Sequence, residues 1–413
     1  MTVGKRPARS ISHWYGEMGL AFAILVVIAL TAFLDPQHTY LHNALPSAVN
    51  VARLTAFLGI FALGAAVVII SGGIDLSSGS MIAFSGTICA TLLVLLDPEN
   101  MNPVAATRQP LSWITISLSI AGALVAGLLV GTLHAWLIAV MRLPPFIATL
   151  GTLVGLRSLG RAIVAHVTER MYNAASTQIQ IPDERFRYLA NFVWIPIAVF
   201  LVLVVVLWIL LSRTVVGRHI YALGGNEQAA RLSGIRTERV KWLVYVIGSF
   251  TAAVAGVLYI GEQSTADPQT LAVGYELNAI AAAVVGGCSL QGGIGTVPGI
   301  VLGALFLQTV IDAVAKIIKV DADTYQGIIV GLVLITAAAL GQIRTMRGRG
   351  QQVFPGWLDW AAIVTLSALA GILVAVFFRE RAGDRMALVT AGVVLVALTA
   401  LKLLNRTRKA EIS

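Results

Sequence analysis

Residues able to hold or move a polar solute are few in this chain, and they gather at two places. The first is Ser71-Gly72-Gly73-Ile74-Asp75-Leu76-Ser77-Ser78-Gly79-Ser80, a carboxylate and hydroxyls set among glycines between two apolar runs. Glycine lets the backbone unwind there, and the polar side chains can then satisfy freed backbone groups or a polar ligand. An ionised Asp at membrane depth costs about 2.5 to 3.5 kcal/mol, so Asp75 needs a partner or water. The alternative is structural: Asp75 caps the helix that follows. The second place is Tyr221-Ala222-Leu223-Gly224-Gly225-Asn226-Glu227-Gln228-Ala229-Ala230-Arg231-Leu232-Ser233-Gly234-Ile235. Asn226 is a good N-cap, Glu227 favours the positive helix end and Gly234 is a natural stop, which predicts a short helix over Asn226 to Ser233. A two-turn helix is marginal alone in water, so either a partner or the rest of the chain must hold it.

Other chemistry finds little support. His38 and His42 lie four apart in a loop, where solvated polar residues are the plain explanation and a metal pair the alternative. The six histidines are otherwise scattered, and an enzyme would need a convergent set of ionisable groups. Cys89 and Cys288 sit in apolar sequence rich in Gly and Ala, the usual setting of a small buried side chain. The chain contains no GxxxxGK[ST] loop, so it cannot bind ATP by that route. Neither a metal, a cofactor nor a catalytic activity is expected of this chain.

What must position these residues is a membrane fold. Of 413 residues 57% are hydrophobic and 12% charged, with a mean hydropathy of +0.85. An ordinary soluble domain carries about a quarter charged residues, and crossing a bilayer takes about 17 to 25 apolar ones. The expected spans are 18–34, 54–70, 80–96, 113–141, 143–164, 190–211, 242–260, 276–285, 298–320, 325–343, 357–378 and 386–404, giving an all-α polytopic protein of about twelve helices, some broken or re-entrant. The segment 143–164 carries Pro144, Pro145, Arg157 and Arg161, so neighbours must shield it from lipid. Asp35 to Arg53 and Ala165 to Arg187 are expected as external loops.

The net charge of +9 could suggest a nucleic-acid partner, but the basic residues sit between spans: Lys5, Arg6 and Arg9, then Arg213 to Lys241, then Arg344, Arg347 and Arg349. That is the positive-inside pattern, which puts both termini in the cytoplasm and disfavours nucleic acid. The chain then divides into a cytoplasmic tail at 1–17, a transmembrane domain at 18–343 with a cytoplasmic loop at 212–241, and an extension at 344–413 with two further helices. One internal echo stands out. Gly72, Gly73, Leu76 and Gly79 repeat as Gly286, Gly287, Leu290 and Gly293, and the topology places both copies on the same side of the membrane. They read either as broken helices along a solute path or as close packing through small residues.

Five strings in order, SGGIDLSSGS, LPPFIATLGTL, GRHIYALGGNEQAARLSGI, GYELNAIAAAVVGG and SLQGGIGTVPG, make the stretch from about residue 45 to 343 resemble the permease subunits of ABC importers for monosaccharides. The resemblance implies a ten-helix permease core in the bacterial inner membrane, half of a paired pathway with a second permease copy or paralogue. It further implies a cytoplasmic ATP-binding subunit and a periplasmic sugar-binding protein as partners, with the loop at Gly224, Gly225, Asn226, Glu227, Ala229, Arg231, Leu232 and Gly234 coupling to the ATPase. Asp75, Ser77, Ser80, Glu276, Asn278 and Gln291 are the polar candidates beside the breaks, because neutral sugars need hydrogen bonds rather than a strong charge. Ser78 and Asn278 depart from the usual Val and Asp of the pattern, and most relatives lack the two helices after residue 350. A secondary active transporter is the alternative, but Asp75, Glu276 and Asp312 are few carboxylates for ion coupling.

Overall fold

The computed structural model describes residues 9–102, 107–317, 322–348, 359–377 and 381–410. In chain order the elements are α1 Arg9–Leu34, α2 Thr39–His42, α3 Ala44–Ile70, α4 Ser78–Leu96, α5 Pro98–Met101, α6 Trp113–Ala135 running into a π-helical turn Trp136–Val140, α7 Pro145–Tyr172, β1 Ile179–Gln180, α8 Glu184–Asn191, α9 Trp194–Arg213, α10 Val215–Gly225, α11 Glu227–Leu232, α12 Thr237–Gln263, β2 Thr265–Ala266, α13 Tyr275–Val285, α14 Val297–Ile317, α15 Ala322–Gly348, α16 Asp359–Phe377 and α17 Arg381–Ala410. Among the described residues, eight helices are long and apolar enough to cross a bilayer, and shorter apolar helices lie at Tyr275–Val285, Gln326–Ala337, Asp359–Ile372 and Met386–Ala400. The fold is the all-α polytopic one that the hydropathy implies.

Two compact units divide the chain, residues 1–338 and 339–413. At the centre of the first, α3, α4 and α12 are buried over most of their length. Helices apolar on every side have no face for water and take the interior. Glycines bring them close: a Cβ at Gly86 would lie 3.0 Å from the Gly256 carbonyl, and one at Gly131 of α6 2.7 Å from the Val246 Cα. By contrast α1 and α9 expose Phe22, Leu25, Val202 and Val205, an outer surface that only lipid tails can cover. Cys89 and Cys288 are free thiols buried in this core. In the second unit α16 and α17 form an antiparallel hairpin, closed where Gly371 meets Ala387 and Ala391, with Lys402 over the Trp360 ring.

The helices exceed the apolar runs in several places. Residues 35–53, expected as a loop, hold α2 and the first turns of α3, and α3 stays helical through Asn50 and Arg53 because Arg53 pairs with Glu262 at 3.0 Å and stacks on Phe57. The stretch 165–187 is likewise not all loop: α7 continues to Tyr172, β1 pairs antiparallel with β2, and Asp183 caps α8 by accepting from the Phe186 N–H at 2.7 Å. Asp312, weighed above as an ion-coupling group, is tied to Lys316 and to the Tyr40 hydroxyl, and burial and this carboxylate raise the Tyr40 phenol above its ordinary range.

Candidate functional site

The breaks begin as two helix endings of one kind. After α3 the Gly72 N–H donates to the Ile69 carbonyl and the Gly73 N–H to that of Val68, with Gly72 at φ 85°. After α13 the Gly287 N–H donates to Val284 and the Cys288 N–H to Ala283, with Gly287 at φ 90°. Both are Schellman caps, which need a residue in the left-handed region that glycine enters without a steric cost. The equivalent residues are therefore Gly72 and Gly287, one position out of register with the echo in the sequence.

The loop that follows the second ending returns to the first. The Gly293 N–H donates to the Ile70 carbonyl at 2.8 Å, and a Cβ at Gly292 would lie 2.8 Å from the Gly72 Cα. Between them runs Gly224-Gly225, the end of α10. A Cβ at Gly224 would collide with the Ile70 carbonyl oxygen and lie 2.5 Å from the Gly293 nitrogen, and one at Gly293 would lie 2.9 Å from the Gly225 Cα. Tyr221, one turn earlier in α10, donates its hydroxyl to the Gly295 carbonyl at 2.8 Å, and burial pushes that phenol up to about 12. Three glycine pairs distant in sequence thus form one backbone junction, with no side chains between the strands of chain.

From that junction α11 projects. Asn226 caps it by accepting from the Ala229 N–H at 2.9 Å, and Gly234 ends it at φ 85°, with the Ile235 N–H on the Ala230 carbonyl. Helix and caps thus fall where the residues predict them. Two ion pairs brace it on the start of α12: Glu227 with Lys241 at 2.7 Å and Arg231 with Glu238 at 2.5 Å. Ala230 is buried against the chain, while Ala229 is exposed and Leu232 is 89% exposed.

Above the first break Asp75 is 4% exposed and accepts from the Ser77 N–H at 2.8 Å and the Ser77 hydroxyl at 2.6 Å, which organises the start of α4. The Ser80 hydroxyl is spent on the Ser77 carbonyl. Next to them stands a residue that sequence reasoning missed. His134 of α6 is wholly buried, its Nε2 2.7 Å from the Thr152 hydroxyl of α7 and 3.5 Å from that of Ser77, its Nδ1 3.4 Å from that of Ser249 in α12. Both ring nitrogens of His134 thus face hydroxyl oxygens within hydrogen-bond reach. A lone histidine in an apolar run gives no hint of three other elements converging on it.

Glu276, at the first turn of α13, packs against Gly79, and its Oε2 is buried with no hydrogen bond among the described residues. Close by, Arg157 in the middle of α7 donates to the carbonyls of Pro268, Gln269, Leu271 and Ala272 at 3.0 to 3.3 Å, so the loop before α13 supplies the shielding that this arginine requires. Asn278 lies half-buried two residues on, whereas Gln291 is exposed at the second break. The candidates therefore fall into two groups: Asp75, Ser77 and Ser80 beside His134, with Glu276 of α13 packed on Gly79 next to them and Asn278 two residues on, and Gln291 apart at the junction.

Known proteins resemble the chain over most of its length. The family described as branched-chain amino acid transport system / permease component matches residues 47–338. The ribose import permease protein RbsC of Haemophilus influenzae is 33% identical over 340 residues, covering 80% of this chain and 94% of the relative. The galactose/methyl galactoside import permease protein MglC of Escherichia coli is 32% identical over 347 residues, covering 82% and 98%. RbsC of Bacillus subtilis is 32% identical over 326 residues, covering 78% and 92%. No solved structure matches the chain.

Proposed function

This chain belongs to the permease-component family of branched-chain amino acid transport systems and is a permease of the monosaccharide ABC importer kind, multi-pass in the bacterial inner membrane; on that premise we propose that it carries a monosaccharide from periplasm to cytoplasm at the expense of ATP hydrolysed by a separate subunit. A periplasmic sugar-binding protein delivers the solute, and a second permease copy or paralogue completes the pathway. Both termini face the cytoplasm, residues 18–343 form the transport domain, and residues 344–413 are an appended extension. The coupling element is α11 with its flanks, from Gly224 to Gly234, and the pathway candidates are Asp75, Ser77, Ser80, Glu276, Asn278 and Gln291.

The observation that carries this reading is the contact of Gly224 and Gly225 with Ile70, Gly72 and Gly293. A helix that shifts with an ATPase would pull on α10, and α10 meets both breaks through the backbone of Gly224 and Gly225, with the Tyr221 hydroxyl on the Gly295 carbonyl as a further contact. Backbone contacts have no rotamers to absorb the displacement, so a rigid movement reaches the pathway directly. Leu232 and the exposed side of α11 are what the ATPase would grip.

The test is uptake of labelled ribose or galactose into proteoliposomes holding this chain with its ATPase and sugar-binding protein partners. Accumulation should require internal ATP and all three components. Uptake by this chain alone, driven by an ion gradient, would replace the reading with secondary transport.

A further inference from the structure

α12 is 27 residues long and separates two ends of the molecule by about 40 Å, at about 1.5 Å per residue. Near its first residue it braces α11, and beyond its last the chain forms the loop 264–274 that leads into α13. This loop is held in a constrained shape. Ser264 and Ala272 have φ 58° and 55°, in the left-handed region that non-glycine residues occupy where their surroundings impose it, and Gly274 follows at φ 79°. At Ala272 the surroundings are Arg157 of α7, which donates to the carbonyls of Pro268, Gln269 and Leu271 through Nη1 and to that of Ala272 through Nη2. Four carbonyl dipoles turned toward one point repel each other. The arrangement needs a cation at its centre, and the planar guanidinium fork serves several acceptors at once. Gly160, one turn further along α7, leaves the room: a Cβ there would lie 3.0 Å from that of Pro268.

The folded loop leaves one group unsatisfied. It presses the Ala272 carbonyl and the Glu276 carboxylate onto Gly79 in the first turn of α4, where a Cβ would lie 2.7 Å from that carbonyl oxygen and would collide with Glu276 Oε2. Oε2 is buried without a hydrogen bond, although the charges of Arg157 and Glu276 are near enough to act on each other. The guanidinium is spent on the carbonyls instead. A buried acceptor without a donor is destabilising, and a carboxylate can take two guanidinium N–H groups at once. A lifted loop would therefore exchange the bonds to four carbonyls for one bidentate pair, and would satisfy Oε2 in doing so.

We infer that Arg157 is a positioning residue that latches the end of the pathway opposite α11: it holds the loop 264–274 down on α4, and opening that end passes its guanidinium from the loop carbonyls to Glu276. Opening removes what packs on Gly79, between Ser78 and Ser80 of the first break. Two arrangements of the same few groups, each with its own set of bonds, make a discrete switch. Its use in transport rests on the importer reading, whereas the latch itself does not.

The test is the rate at which a water-soluble maleimide labels Leu271→Cys in the full chain in lipid nanodiscs, in a background of Cys89→Ala and Cys288→Ala. Leu271 is 1% exposed, so labelling reads opening of the loop. Arg157→Gln should raise the rate by about tenfold or more, and Arg157→Lys, which keeps the charge with fewer donors, by less. Glu276→Gln should lower it severalfold, because the open arrangement loses its ion pair. A destabilised fold cannot imitate slower labelling. Protection that survives Arg157→Gln overturns the latch, and labelling of Glu276→Gln as fast as the parent or faster overturns the exchange. In proteoliposomes of the complete transporter, Glu276→Gln should lower maximal uptake severalfold with KM nearly unchanged, and unchanged maximal uptake overturns the role in transport. If the parent transporter accumulates neither ribose nor galactose, the importer reading fails, whereas the labelling decides the latch by itself.

Discussion

At the first break the chain leaves α3 through Gly72 and stays buried, with Asp75 bonded to Ser77 and His134 alongside; at the second it leaves α13 through Gly287 and reaches the surface, where Leu290 is 41% and Ile294 50% exposed. Both helices end by the same backbone device. The local chemistry of stopping a helix is thus indifferent to what the stop is used for. The first break is locked into α4, α6, α7 and α12 by polar contacts, while the second touches the rest of the junction mainly through glycine backbone. Both breaks are in contact with α10, so a displacement of α10 is expected to shift the second break more than the first.

The sharpest way to break this comparison is to spread the junction. In Gly224→Val the new side chain cannot fit between Ile70 and Gly293, and uptake should fall by roughly an order of magnitude or more while membrane insertion is retained. Near-normal uptake would show that the junction transmits nothing. Almost as large is the effect expected at the coupling helix. Glu227→Arg places a cation beside Lys241, and Leu232→Asp removes the exposed apolar tip; each should abolish substrate-stimulated ATP hydrolysis. Leu232→Asp, being at the surface, should shift stability by no more than about 0.5 kcal/mol. Stimulation that survives both would move the docking surface elsewhere.

A middle-sized effect tests the locked side. Asp75→Ala leaves the Ser77 N–H without its acceptor, at a cost of about 1 to 3 kcal/mol, and transport should fall several times further than association with the ATPase does. Asp75→Asn keeps an acceptor oxygen and should recover the melting temperature. If it recovers transport to the same degree, Asp75 serves only to start α4. The smallest effect belongs to the loose side. A Cβ at Gly287 meets nothing within 4 Å, so Gly287→Ala should cost only the left-handed strain of about 1 kcal/mol and leave uptake nearly intact. A loss of uptake as deep as that of Gly224→Val would show that both breaks are equally constrained.

How much of this was legible beforehand follows from the range of the forces involved. Asn226, Glu227 and Gly234 act on their own backbone, so α11 and both its caps could be read from fifteen residues of sequence. Arg157 and Arg161 announced that α7 could not simply face lipid, but the shield of four carbonyls at 268–272 comes from a loop more than a hundred residues away. His134 was invisible because every group that bonds to it lies on another element. The extension of α3 and α7 beyond their apolar runs was missed for a related reason. Hydropathy marks what lipid tolerates, whereas a helix continues as long as its polar residues find partners such as Glu262 for Arg53.

Composition and hydropathy by themselves determined that this is a helical membrane protein, because the cost of exposing or burying each residue is set by its own chemistry. Glycine spacing determined where helices could stop, since access to the left-handed region is a property of a single residue. Only the tertiary structure decided that Gly72, Gly224 and Gly293 meet at the same point in space. A residue without a side chain carries no label for its partner. The meeting is chosen by the surrounding helices, whose packing brings three bare stretches of backbone together where nothing larger would fit.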